Sequence, residues 1–174
     1  MLALLLATSR STSALVLSPP PQAVASFSSR HLRTSSIVMG RKPGVMEPPE
    51  LAKFVADAGD KLIIVDVRNP DFEVEPGDGK SNEKAPLAAC GTDARARAVN
   101  VFYDRTTNSM DLSKIPDAWI EAGGGKASVP VITHCGGGGR GQKAKDFLLT
   151  NGFANVANGG GPEDDECWEC FGSK

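Results

Sequence analysis

Three short, uninterrupted apolar runs rich in β-branched residues constrain this chain more than any other feature. They are Leu62-Ile63-Ile64-Val65-Asp66-Val67-Arg68, Ala98-Val99-Asn100-Val101-Phe102 and Val129-Pro130-Val131-Ile132-Thr133-His134-Cys135. A strand with one face in water alternates apolar with polar residues, whereas a strand covered on both faces does not. Pro130 stands near the start of its run, where a missing ladder donor matters least. Phe153 to Ala157 is a shorter fourth candidate strand. Helical patterns lie between these runs. Pro48-Pro49 suits a first turn, and Leu51, Phe54, Val55 and Ala58 then recur at i, i+3, i+4 and i+7 before Gly59 stops the helix. Ile115 to Ala122 fits a short helix closed by Gly123-Gly124-Gly125. Gln142 to Thr150 puts Ala144, Phe147 and Leu148 on one face and ends at Asn151-Gly152. Buried strands alternating with helices predict an α/β fold with a central, mostly parallel sheet and helices on both faces.

Two stretches stand outside that alternation. Residues 74–97 begin with Glu75-Pro76-Gly77-Asp78-Gly79-Lys80-Ser81-Asn82, which is turn chemistry with no period after it, so a long inserted surface loop is expected there. Residues 1–40 hold Arg10, Arg30 and Arg33 and no acid, a charge of +3, and twelve of the forty are Ser or Thr. The chain's net charge of −2 therefore leaves −5 for residues 41–174. A Ser- and Arg-rich, acid-free beginning is expected to be a disordered targeting segment, which leaves 41–174 as the folded domain. Leu2 to Ala7 and Ala14 to Leu17 are short apolar blocks, Pro19-Pro20-Pro21 follows, and the small residues Val24-Ala25-Ser26 precede Phe27. This layout resembles the two-part presequences of algae with complex plastids, although no Lys or Arg precedes Leu2. A plastid destination is expected, with a mitochondrion as the alternative.

The overall balance excludes some functions. A net charge of −2 disfavours a basic nucleic-acid binder. No run approaches the roughly 18 apolar residues of a membrane span. Four cysteines in 174 residues are too few for a disulfide scaffold.

The chemistry concentrates after the third run, in Cys135-Gly136-Gly137-Gly138-Gly139-Arg140-Gly141, which leads into a helix. Ligands of open α/β sheets bind at the carboxyl ends of strands. Glycines accept positive φ and can turn their amides inward as a concave nest of donors, here at a helix N-terminus. A thiol at the base of such a nest is expected to ionise more readily, which makes Cys135 a candidate nucleophile. Arg140 adds a permanent positive charge, and Gly136, Gly137, Gly138, Gly139 and Gly141 are the candidate substrate-binding donors. The bland alternative is a glycine-rich turn beside a small buried thiol.

Several stretches, taken in order, resemble a single-domain rhodanese, a sulfurtransferase. Ile64-Val65-Asp66-Val67-Arg68-Asn69-Pro70 is similar to the family's first strand with its Asp-x-Arg. Ala98-Val99-Asn100-Val101 is similar to its second strand, and Cys135 to Gly141 to its active-site loop, Cys-x-x-Gly-x-Arg. Lys143-Ala144 through Gly152-Phe153 is similar to the following helix, and Asn155-Val156 through Gly160 to the last strand and its double glycine. Trp168 stands where the family often has a tryptophan. The resemblance spans about residues 45–170. It departs before the second strand, where Thr92-Asp93-Ala94-Arg95-Ala96-Arg97-Ala98 replaces the family's Gly-His-Ile-Pro-Gly-Ala.

The resemblance implies a rhodanese-like three-layer fold and a sulfurtransferase that uses no cofactor. Sulfane sulfur would pass from a small donor such as thiosulfate to a thiol, cyanide-like or protein acceptor through a persulfide on Cys135. Arg140 would hold the loop or draw in an anionic donor, and Asp66 and Arg68 would brace the site from the neighbouring strand. Two alternatives remain. The domain can be a non-enzymatic persulfide carrier or sensor for a protein partner, because an all-glycine loop has little beyond Arg140 with which to grip a small substrate. Phosphatases and arsenate reductases share the fold but place five residues between Cys and Arg, where this chain has four.

Other residues carry weaker signals. His134 adjoins Cys135 on a strand and should point to the opposite face, so a packed histidine is expected rather than a Cys–His pair. Cys167-Trp168-Glu169-Cys170 is a Cys-x-x-Cys, but Glu163-Asp164-Asp165-Glu166 before it should raise the thiol pKa values and suits a helix N-terminus. No zinc site is expected, because Cys90 lies in the inserted loop, away from Cys135, His134, Cys167 and Cys170.

Overall fold

A computed structural model describes residues 41–88 and 95–173. The targeting segment expected at 1–40 and Cys90 of the inserted loop lie outside the described residues. The described chain is an α/β fold built on one four-stranded parallel sheet. Its strands are β1 (Ile63–Asp66), β2 (Ala98–Asn100), β5 (Val131–His134) and β6 (Val156–Asn158), in the order β2-β1-β5-β6. Ile64 pairs with Ala98 on one side and with Ile132 on the other, and Ile132 pairs with Ala157. The helices are α1 (Pro48–Ala58), the single turn α2 (Pro76–Gly79), α3 (Asp117–Ala122), α4 (Gly139–Thr150) and α5 (Asp165–Phe171). A small antiparallel hairpin, β3 (Tyr103–Asp104) with β4 (Ser109–Met110), follows β2.

The period of two along each strand divides the core in two. Ile63, Val65, Val99 and Val131 face the layer of α3 and α4, meeting Ile120, Ala144 and Leu148. Ile64, Ala98, Ile132 and Ala157 face α1 and α5, meeting Leu51, Val55, Cys167 and Phe171. Each strand residue is therefore buried on one side or the other, which is why the runs show no alternation. The result is a parallel sheet flanked by helices, compatible with the three-layer rhodanese-like architecture. No described helix is long and apolar enough to cross a membrane.

The inserted stretch is not the surface loop expected from its composition. Its described part contains the α2 turn and buries Asp78, Ser81, Ala85, Ala88 and Arg95. The cause is polar rather than apolar packing, which a hydrophobic period cannot reveal. Arg68, wholly buried, donates to Ser81 Oγ at 3.2 Å and to the carbonyl oxygens of Ala85 and Pro86 at 2.7 and 3.3 Å. Its Nη2 also donates to Asp66 at 2.6 Å, and Asp66 accepts from the Ala88 amide at 3.2 Å. Burial works against an ionised Asp66, but His134 and the hydrogen-bonded Arg68 outweigh it, so the carboxyl lies below its ordinary range. The pair thus fastens the inserted stretch to the end of β1.

Breaking this pair leaves a buried charge without a partner. Arg68→Met is expected to lower the unfolding free energy by about 3–5 kcal/mol in urea titrations. The double variant Asp66→Leu/Arg68→Met should recover part of that loss, because it removes both charges.

Candidate active site

The parallel order creates a crevice. The chain leaves β1 toward β2 and leaves β5 toward β6, so the segments after these adjacent strands diverge at their carboxyl ends. Cys135 stands at that point. A cleft of about 390 Å³ opens beside it, lined by Cys135, Gly136, Gly137, Gly139 and Arg140 of the loop. Lys42, Asp78, Arg105, Lys143 and Glu163 complete its walls.

The loop is shorter than its glycine count suggests. Helix α4 begins at Gly139, not at Gln142, so Gly139, Arg140 and Gly141 form its first turn and only residues 135–138 bridge strand and helix. Of the loop glycines only Gly138 has positive φ, at 92°. There a Cβ would strike Val45 and lie 3.0 Å from Gly160 Cα. At Gly141 a Cβ would fall 2.6 Å from Asn158 Oδ1. Gly136, Gly137 and Gly139 meet only side-chain ends, so their backbone geometry does not demand glycine.

The expected ring of donors forms in part. The Gly138 amide donates to Cys135 Sγ at 3.2 Å. Among the described residues, the amides of Gly136, Gly137 and Gly139 make no hydrogen bond and remain available to a ligand. Cys135 is mostly buried, 7% exposed, and faces the α4 layer.

Arg140 stands in the cleft wall, but its charge is already matched. It donates to Asp78 Oδ2 at 2.5 Å, to the Val67 carbonyl at 3.4 Å and to Glu75. Arg105 also pairs with Glu75, at 3.0 Å. The guanidinium therefore ties α4 to the α2 turn of the inserted stretch, and it does not approach as an unmatched cation.

Sequence reasoning missed the residue that joins the loop to the sheet. Asn158, wholly buried at the end of β6, donates from Nδ2 to the Gly138 carbonyl at 3.0 Å, while its Oδ1 accepts from the Gly160 amide at 3.1 Å. The Cys135 amide donates to the Gly160 carbonyl at 3.1 Å, and a Cβ on Gly161 would fall on the Cys135 carbonyl. The available signal was a polar residue closing an apolar strand just before Gly159-Gly160-Gly161. Lys42 and Glu163, from the two ends of the folded domain, also reach the cleft, and nothing in their local sequence marks them.

His134 points away from Cys135, into the α5 layer. Its ring lies 5.3 Å from that of Trp168 and 5.5 Å from that of Phe171. Arg95 Nη1 lies 3.2 Å from Nε2, and Nδ1 lies 3.4 Å from the Cys135 carbonyl oxygen. An arginine can only donate, so Nε2 accepts and Nδ1 carries the proton. Burial pushes the imidazole down to about 4, assisted by Arg95 and Arg68 against the opposing pull of Asp66. His134 is a neutral part of the floor and not a base beside the sulfur.

Cys167 and Cys170 lie one turn apart on α5, away from the cleft lining, and both are free thiols. Burial, with help from Asp164, pushes Cys167 up to about 11, and burial with Glu169 also raises Cys170. Both sulfurs donate to carbonyl oxygens, Cys167 to Met46 and Cys170 to Glu166. Both shifts favour the protonated thiol.

Fold and site together define an α/β protein with a cysteine at the sheet's switch point, its sulfur accepting from the Gly138 amide. Comparison with known proteins matched no family model, no curated protein and no solved structure.

Two outcomes are expected from this geometry. Gly138→Ala forces a positive φ on a residue with a clashing Cβ and should cost about 1–3 kcal/mol. Gly136→Ala, which displaces only the end of Glu163, should cost well under that, as paired thermal melts will show. His134 gives a pH dependence. An unfolded histidine protonates near 6.5, before the folded one at about 4. Stability should therefore fall as pH drops through that window, by about 3 kcal/mol in all. Asp66, depressed when folded, adds its loss only at lower pH. Urea unfolding of His134→Asn should lack the upper phase.

Proposed function

We propose that this protein is a sulfurtransferase with Cys135 as its nucleophile. The thiolate attacks the outer sulfur of a donor such as thiosulfate. A sulfur–sulfur bond forms to Cys135 as the donor's own breaks, and sulfite leaves with the electron pair. An acceptor thiolate or cyanide then attacks the outer sulfur of the persulfide, and the Cys135 thiolate departs. The sulfur moves as a neutral sulfane atom, so the donor supplies the oxidation that the acceptor undergoes and the cycle needs no external oxidant or reductant. The observation that carries this reading is the loop itself, with the Gly138 amide already on Sγ and, among the described residues, no hydrogen bond from the amides of Gly136, Gly137 and Gly139. A terminal sulfur bearing negative charge needs such fixed donors.

The arginine favours sulfur transfer over phosphate chemistry on the same fold. A phosphatase loop closes its arginine on a tetrahedral oxyanion, whereas Arg140 is engaged by Asp78 and Glu75. That same engagement favours one second reading, a carrier that hands persulfide sulfur to a protein partner without rapid turnover. The acid-free residues 1–40 support delivery to a plastid or mitochondrion.

Mass spectrometry after exposure to thiosulfate should show one added sulfur on the intact protein, and none on Cys135→Ser. Steady-state turnover with thiosulfate and cyanide then separates enzyme from carrier. Stoichiometric persulfide without repeated turnover identifies the carrier, and no added sulfur at all removes the proposal.

A further inference from the structure

The cleft contains a carboxylate where an anion-binding site has no evident need for one. The Glu163 amide donates to the Gly136 carbonyl at 3.0 Å, so its backbone is fastened to the loop. Its neighbour Asp164 caps α5 and pairs with Arg41 at 2.8 Å, which fixes the next position as well. The Glu163 side chain then lies over the outer face of the loop. Its Cδ is 3.1 Å from where a Cβ on Gly136 would stand and 3.4 Å from the equivalent point on Gly137. These are two of the three residues whose amides are open.

Two other charges of the cleft are already matched. Arg140 is matched by Asp78 and Glu75, and Arg105 by Glu75. Among the described residues, Lys42, Lys143 and Glu163 enter no ion pair, so these three set the field at the mouth. Lys42 Nζ approaches the same Gly137 position at 3.3 Å, beside the carboxylate. Glycine at 136 and 137 has a reason in this arrangement that backbone geometry did not supply, because any side chain there would displace Glu163.

We infer that Glu163 is a specificity-determining charge filter over Cys135. On this inference Glu163 weights the site toward organic persulfides and thiols of low charge over dianions such as thiosulfate, against the pull of Lys42 and Lys143. The inference rests on the sulfur-transfer reading for the identity of its substrates, but the filter acts on any reagent that approaches the sulfur. An anion that enters the cleft meets the Glu163 carboxylate, and one unit of like charge at an ion-pair separation of about 4 Å in water discriminates about fivefold. Lys42 acts in the opposite direction on the same approach.

The test compares alkylation of Cys135 by neutral iodoacetamide and anionic iodoacetate, read by mass on the intact protein with Cys135→Ser as control. Glu163→Gln should raise the ratio of anionic to neutral rate about fivefold, and Lys42→Met should lower it. Both effects should shrink in about 1 M salt, where screening shortens to about 3 Å. In parallel, Glu163→Gln should lower the KM for thiosulfate with little change in kcat. A purely structural role for Glu163 would move both alkylation rates together. An unchanged ratio in Glu163→Gln, with persulfide still formed, overturns the filter and leaves sulfur transfer standing. A shifted ratio without any persulfide supports the filter and overturns sulfur transfer instead.

Discussion

The side-chain amide of Asn158 is the hinge on which the site depends. It bonds the Gly138 carbonyl on one side and the Gly160 amide on the other, while the backbone carbonyl of the same residue accepts from the Met46 amide at 2.9 Å. One buried residue therefore joins the end of β6, the start of α4, the turn after β6 and the segment leading to α1. A buried amide with these groups left unsatisfied would cost stability, so the four segments are energetically coupled through this residue. Cys135 inherits its position from that junction. Its amide bonds Gly160, Gly161 packs on its carbonyl, and Gly138 reaches its sulfur.

Beneath the loop lies a second polar layer that is unusual in a sheet so small. Asp66, Arg68, Arg95 and His134 are all buried at the carboxyl ends of β1 and β5 or beside them. Charges in such a place are stable only when matched, and each has a partner. Arg68 binds Asp66 and the inserted stretch, and Arg95 binds His134 and lies 5.3 Å over the Trp168 ring. This layer fixes the inserted stretch, and that stretch supplies Glu75 and Asp78 to hold Arg140. The floor, the wall and the first turn of α4 are thus one connected arrangement.

This connection explains what the amino-acid sequence could and could not reveal. Strands β1, β2 and β5 were legible because double-sided burial leaves long β-branched runs, and α1 was legible from its apolar period. The position of Cys135 followed from strand, glycines and helix in succession. The hairpin β3–β4 was missed because two-residue strands have no period to detect. The inserted stretch was misread because its burial depends on hydrogen bonds to Arg68, and turn-forming residues look the same whether solvated or packed. The start of α4 was placed three residues late because glycine discourages helix, yet tertiary packing against Asn158 overrides that preference at Gly141. Lys42 and Glu163 were invisible for a simpler reason, since they meet only when the two ends of the domain come together.

The three described cysteines show why one of them is singled out. Cys167 and Cys170 use their sulfurs as donors, toward the Met46 and Glu166 carbonyl oxygens, an arrangement that favours the protonated thiol. Cys135 uses its sulfur as an acceptor, from the Gly138 amide. Burial does not make that distinction, because both Cys135 and Cys167 are buried. The direction of one hydrogen bond does, and that direction follows from α4 beginning where it does. The residue that caps the start of α4 is Gly138, and its amide reaches back to Cys135, the first residue after β5. The proposed role of Cys135 therefore depends on the strand–helix junction, and a change that moved the start of α4 would disturb it without touching the cysteine.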